Sequence, residues 1–134
     1  MTAPRELLDT AKAVRKNAYS PYSKVKVGAA LRTRDGKIFS GCNVENSSYG
    51  ATVCAERVAI QKAVSELGGK IEIQELVVVT DATPPWTPCG ICRQVIAEFG
   101  SNSTIHSCNE KGDVLTSRFD QLYPQAFTPA HLGK

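Results

Sequence analysis

The sequence predicts an α/β fold, a three-layer αβα sandwich around a mixed sheet of about five strands. Helical and strand patterns alternate along the chain, which favours helices layered on a sheet. Asp35-Gly36 sits between two apolar runs, a strong hairpin signal. Leu76-Val77-Val78-Val79 reads as a strand buried on both faces. The 134 residues show no repeat, low-complexity tract or linker, so a single domain over 1–134 is expected.

Residues 3 to 18 are the first predicted helix. Thr2 suits its N-cap and Pro4 its first turn. Leu7, Leu8, Ala11, Val14 and Ala18 fall on one face at helical spacing. The stretch Tyr19 to Ser23 contains Pro21 and breaks the helix, because the residue before a proline avoids helical angles. Strands are expected over 25–33 and 37–45. A second helix runs over 54–67 with Val58, Ala59, Lys62, Ala63 and Leu67 in its pattern, and Gly68-Gly69 ends it. A strand follows over 71–80, then a third helix over 89–99 closed by Gly100. Weaker strands are predicted over 104–108 and 114–116. Residues 119–127 suggest a short helix or turn before an irregular tail. A strand precedes each later helix, so the helix starts should gather at one edge of the sheet. Ligands in such folds sit beyond the strands' carboxyl ends.

Composition excludes several classes. Hydrophobic residues make up 42% and charged residues 22%, ordinary for a globular protein. No apolar run approaches the 18 or so residues of a membrane span. Arg5, Glu6, Asp9 and Lys12 interrupt the start of the chain, unlike a signal peptide, so a cytoplasmic location is expected. The net charge of +3 comes without a basic run or interleaved aromatics, which argues against nucleic acid as a partner.

Five cysteines, Cys42, Cys54, Cys89, Cys92 and Cys108, are an odd number for a disulfide framework. In a reducing compartment, clustered cysteines read first as metal ligands or catalytic thiols. Cys89 and Cys92 form a C-x-x-C pair at a helix start, and Cys54 opens another helix. A helix start carries unpaired N–H groups and partial positive charge, which favour thiolate. Zinc takes cysteine sulfur at about 2.3 Å in a tetrahedron, and three protein ligands leave a fourth position open, the mark of a catalytic site. Three thiolates against Zn²⁺ leave a net charge of −1, so a compensating cation is expected, and Arg57 is placed to hydrogen-bond a thiolate. Glu56, in the same first turn, can take a proton from a metal-held water. Simpler alternatives exist for each residue. Cys54 could be a buried apolar residue. Cys89 and Cys92 could hold a structural zinc with Cys108 or His106. Glu56 could be an ordinary first-turn glutamate. Soft thiolates favour zinc, though iron accepts similar geometry.

Cys54-Ala55-Glu56 and Pro88-Cys89-Gly90-Ile91-Cys92 match the three-cysteine form of the zinc nucleobase deaminase signature. Further stretches extend the match over nearly the whole chain: Tyr19 to Lys24, Val27 to Ala30, Gly41 to Asn46, Tyr49, Cys92 to Val95, and Leu122-x-Pro124-x-x-Phe127. Together they resemble the small homotetrameric zinc-dependent cytidine deaminases.

This resemblance implies hydrolysis of free cytidine, and of 2′-deoxycytidine, to the uridine product and ammonia in pyrimidine salvage. One zinc per subunit would be held by Cys54, Cys89 and Cys92, and zinc-bound hydroxide would attack C4. Glu56 would shuttle the proton to N3 and then to the departing amine. Asn43 and Glu45 would bind the ribose 3′-hydroxyl, although their alternation along a strand also fits a solvated strand end. The backbone of Ala55 would touch the base. Tyr49 and Phe127 would reach a neighbouring subunit's site, making the homotetramer necessary. Arg57 would bond ligand sulfur. Cys42 is expected to be a plain buried thiol and His131 an exposed tail residue; Cys108 and His106 receive no role.

The chain departs from the family at Val25, where an aromatic ring is usual and packs near the base. Loss of a ring contact costs roughly 0.5–1.5 kcal/mol beyond area burial. Weaker cytidine binding, or tolerance of a bulkier pyrimidine, is the expected consequence. Tyr123 stands where leucine is common. Three other functions are weighed against this one: deamination of an aminopyrimidine nucleoside antibiotic, editing of nucleic acid, and a non-catalytic zinc module. The Asn43–Glu45 pair speaks against the first, and Cys54 in place of histidine against the second. The third leaves Glu56 without a task.

Overall fold

The computed structural model describes residues 3–134. Five strands form one mixed sheet: β1 (Gly28–Thr33), β2 (Ile38–Cys42), β3 (Ile73–Thr80), β4 (Thr104–Asn109) and β5 (Val114–Arg118). Their order is β2-β1-β3-β4-β5. Only β3 and β4 run parallel; the other neighbours are antiparallel. Helix α1 (Arg5–Arg15) covers one face, while α2 (Ala55–Leu67) and α3 (Gly90–Phe99) cover the other. The short α4 (Phe119–Leu122) adds Phe119 to the core on the α2–α3 side. The αβα sandwich expected from the sequence is therefore present.

Strand β3 shows why its residues form a buried strand. Val77 and Val79 pack with Leu7 and Ala11 of α1, while Leu76 and Val78 pack with Ile60 of α2 and Ile96 of α3. A period of two sends alternate side chains into two separate cores, so every position must be apolar. The Asp-Gly hairpin also forms. Gly36 adopts φ 89°, a left-handed conformation that glycine reaches without steric cost, and Thr33 N–H donates to Lys37 O at 2.9 Å.

Two glycines set how closely the helices approach. A Cβ on Gly28 would lie 2.1 Å from Ala11 O, and one on Gly41 would lie 2.6 Å from Ala59 N. Helices α1 and α2 thus rest directly on backbone from opposite sides of the β1–β2 pair.

Several boundaries differ from the sequence expectation. Helix α1 begins at Arg5 and ends at Arg15 rather than spanning 3–18. Thr2, the expected N-cap, lies outside the described residues, and Pro4 holds the N-cap position. Residues 16–18 tighten into i→i+3 bonds, Asn17 N–H to Val14 O at 3.0 Å and Ala18 N–H to Arg15 O at 3.1 Å. Strand β2 stops at Cys42 instead of 45 because the chain beyond it changes partners, Val44 bridging Tyr19 and Val53 instead of the β1 strand. Strands β1 and β3 start later than expected, and β4 and β5 run slightly longer. The tail contains a 3-10 turn at Pro129–Leu132. No helix among the described residues is long and apolar enough to cross a membrane.

Candidate active site

Helices α2 and α3 begin at neighbouring points on one side of the sheet, and their N-cap residues are Cys54 and Cys89. Both N-caps have extended backbone angles, and their carbonyls accept the first helical bonds, from Val58 N–H at 3.1 Å and Arg93 N–H at 2.9 Å. Neither thiol is used to cap its helix. Cys92 follows within the first turn of α3 and is buried. The three Sγ atoms lie within 4.8 Å of one another, and Cys54 and Cys89 are 3.8 Å apart. A tetrahedral ion with bonds of about 2.3 Å spaces its ligands about 3.8 Å apart, so the thiols fit zinc.

The electrostatics fit as well. Arg57 Nη2 lies 3.6 Å from Cys54 Sγ and 3.4 Å from Thr52 O. Its positive charge offsets the excess negative charge of three thiolates. The Cys54 thiol is pulled down to about 5, foremost by hydrogen bonding from Cys92, with Arg57 helping. Cys92, which retains the shared proton, is pushed up for the same reason. Glu56 is only 5% exposed, and burial raises its carboxyl to about 7. A bound cation acts in the opposite direction, stabilising the carboxylate.

A cavity of about 350 Å³ opens at the carboxyl end of β3, where Val78 and Thr80 line it. Cys54, Ala55, Glu56 and Cys89 line it as well. Asn43, Glu45 and Val25 also face it. Thus two sequence fragments 35 residues apart meet at one point.

Asn43 and Glu45 are 8% and 9% exposed, so they are not a solvated strand end. Asn43 Oδ1 accepts from Val27 N–H, and its Nδ2 donates to Val25 O, both at 2.8 Å. Glu45 Oε1 accepts from the N–H groups of Tyr22 and Ser23 at 3.0 and 3.1 Å. Its Oε2 accepts from the Ser23 hydroxyl, the main cause of its lowered pKa. Both side chains therefore brace the segment 20–27. Asn43 retains a second amide N–H, and the carboxylate retains acceptor capacity.

Tyr49 is 75% exposed and Phe127 53% exposed, and neither lines the cavity of its own chain. Tyr49 packs edge-on against Tyr22, and Phe127 stacks on His131 with ring centroids 5.3 Å apart. His131 is exposed, as expected, whereas Cys42 is only half-buried rather than a fully buried thiol. Cys108 and His106 lie on the α1 face, away from the three thiols, so neither completes a fourth ligand.

Sequence reasoning missed Ser23, Thr87, Trp86 and the work of Arg93. Arg93 donates to Pro88 O at 2.7 Å, to Thr87 Oγ1 at 2.9 Å, and to Leu122 O. It ties the turn before Cys89 to the end of α4. Its place inside the Cys92 to Val95 motif was visible, but its partners were not.

The family model for the cytidine and deoxycytidylate deaminase zinc-binding region matches residues 1–108. The chain belongs to this family. Cytidine deaminase of Sporosarcina psychrophila is 48% identical over 129 residues, covering 96% of this chain and 93% of that protein. Cytidine deaminase of Halalkalibacterium halodurans is 44% identical over 123 residues, covering 91% and 92%. The crystal structure of cytidine deaminase from Burkholderia pseudomallei matches with a TM-score of 0.89 at 45% identity, covering 94% of this chain and 100% of that one. The three-thiol cluster belongs to the zinc-binding region that defines the family.

Proposed function

We propose that the protein hydrolyses free cytidine, and 2′-deoxycytidine, to the uridine product and ammonia. The observation that carries this is one cavity lined by Cys54, Cys89 and Glu56 together with Asn43 and Glu45, with the Cys92 Sγ within 4.8 Å of the other two thiols. The size suits a nucleoside held without its phosphates, and small-molecule sites of this kind are mostly apolar with a few placed polar groups.

Cys54, Cys89 and Cys92 hold zinc. When bound, zinc supplies a Lewis acid that lowers the pKa of water toward about 7. Glu56 takes one proton of the attacking water and passes it to pyrimidine N3, then takes the remaining proton of the added hydroxyl and delivers it to the departing amine. Water thus adds at C4 and the amine leaves as ammonia. Burial raises the Glu56 pKa while a bound cation lowers it, and these opposed effects act on the one group that must both accept and return a proton. Arg57 holds the Cys54 sulfur and balances the charge of the thiolates. Asn43 and Glu45 orient the ribose through its 3′-hydroxyl, and the Ala55 backbone contacts the base. Val25 leaves the base less enclosed than a ring at that position.

Tyr49 and Phe127 serve a neighbouring subunit's site in a homotetramer, which accounts for two large exposed rings outside their own cavity. The reaction places the protein in pyrimidine salvage in the cytoplasm.

Purified protein mixed with cytidine should show the ultraviolet change of uridine formation, and Glu56→Ala should show none while keeping zinc. A folded, zinc-loaded wild type without turnover would refute the proposal. Mixing Glu56→Ala with Phe127→Ala chains and letting subunits exchange should restore activity if sites are shared. No recovery in proven mixed oligomers would refute the shared site.

A further inference from the structure

Trp86 is the protein's single tryptophan. It is 52% exposed and belongs to neither apolar core. Yet it lines the cavity that holds Glu56, and among the described residues it is the only aromatic one that does. Val25 contributes just a small aliphatic group to the same cavity. A neighbouring depression, edged by Lys24 and Lys26, shares Val25, Thr80 and Trp86 with the cavity. Those three residues form the partition between the two spaces.

The segment that carries Trp86 is held at both ends. Asn109 Nδ2 donates to Ala82 O at 3.0 Å and to Thr83 Oγ1 at 3.3 Å. Beyond the tryptophan, Arg93 grips Thr87 Oγ1 at 2.9 Å and Pro88 O at 2.7 Å. Pro84, Pro85 and Pro88 fix three φ angles in between. A large ring without core packing is thus carried on a stiff, tethered segment into a pocket that has no other ring among its described lining residues. Such a ring is organised before the ligand arrives, so little ordering opposes its use.

We infer that Trp86 is a base-binding wall of the site, presenting its indole to the pyrimidine base of the substrate. It supplies the aromatic contact that Val25 does not. This rests on the proposed deamination of a pyrimidine nucleoside. Stacking of a base on an aromatic side chain is sequence-tolerant and changes binding by roughly fivefold to a hundredfold on alanine substitution.

The single tryptophan makes the test direct. The zinc-loaded wild type is titrated with uridine, the unreactive product, while indole emission is followed. Emission should change saturably, with a midpoint equal to the inhibition constant of uridine against cytidine turnover. Trp86→Ala should raise KM for cytidine by about fivefold to a hundredfold with kcat nearly unchanged, and Trp86→Phe should recover most of the loss. A merely structural role would lower kcat, or the thermal midpoint, without that split. Turnover of cytidine with flat emission through the inhibitory range of uridine would overturn the inference while leaving the deaminase reading intact. An unchanged KM in folded Trp86→Ala, with only its assembly altered, would overturn it too and assign the ring to a subunit contact. Absence of cytidine turnover in the wild type would remove both.

Discussion

At one end of the cavity the functional groups come from two short stretches, Cys54 to Arg57 and Cys89 to Cys92, each opening a helix. At the other end Asn43 and Glu45 lie just past β2 and bond backbone 16 to 23 residues earlier in the chain. The thiol end is locally encoded, since a helix start sets the direction and electrostatics of its first residues. The Asn43–Glu45 end exists only after β1 and β2 have paired and brought segment 20–27 alongside. Chemistry at the first end and recognition at the second can therefore be disturbed separately, and four substitutions test that division.

The largest effect belongs to the thiol end. Glu56→Gln keeps shape and removes the proposed proton carrier, so kcat should fall by about 10³ or more. Elemental analysis should show unchanged zinc. Loss of zinc in this variant would mean that the carboxylate holds the thiol cluster together, and the thiol end would not be separable even from its own proton carrier. Next comes Glu45→Gln, which weakens the acceptor for Tyr22 and Ser23 and for the ribose hydroxyl that we propose it binds. KM should rise about tenfold, with kcat changed much less. An equal fall in kcat would join the two ends into one unit.

Ser23→Ala is a smaller change at the same end. It removes the hydroxyl that bonds Glu45 and supports Val25 N–H at 3.1 Å. KM should rise a few-fold, and Glu45 should titrate closer to its ordinary value, because the Ser23 bond is the main cause of its lowered pKa. Carboxylate NMR of a labelled sample measures that shift; no movement would separate Ser23 from the site.

The smallest effect lies remote from both ends and serves as a control. His106 is 3% exposed on the α1 face, with Nε2 3.5 Å from Glu75 Oε1. Burial lowers its pKa despite the nearby carboxylate. The folded state thus prefers the neutral ring. Above about pH 6.5 both states are neutral and His106 adds no pH dependence. Below that value the unfolded chain binds the proton first, so stability falls with pH until the lower folded pKa is passed, by at most about 1.4 kcal/mol per unit. Thermal unfolding of His106→Gln should lose less stability than wild type between about pH 6.5 and 5, with kcat/KM unaltered. A changed kcat/KM would connect the back of the sheet to the cavity.

Much of the fold was legible in the sequence because its signals are local. Asp35-Gly36 specified the hairpin, since glycine alone reaches φ 89° freely. Leu76 to Val79 announced a strand with two buried faces. The helix ends proved less legible: Ala18 fits the apolar pattern of α1, yet the helix stops at Arg15 and Ala18 is buried from a tightened turn instead. Periodicity reports which side chains are buried, not which backbone bonds they sit on.

The sequence by itself determined the chemical inventory: three thiols and a carboxylate at helix starts, with an arginine beside them. Their spacing within each helix follows from residue number alone, because a turn of helix fixes it. Only the tertiary structure decided that these two helix starts face each other 3.8 Å apart across 35 residues of chain. It alone turned Asn43 and Glu45 inward, where hydrogen bonds to segment 20–27 offset the cost of burying them. It likewise carried Trp86 to the cavity wall, through bonds from Asn109 and Arg93 on two other elements. Such contacts depend on where distant backbone atoms come to rest, and no local pattern in the sequence encodes that.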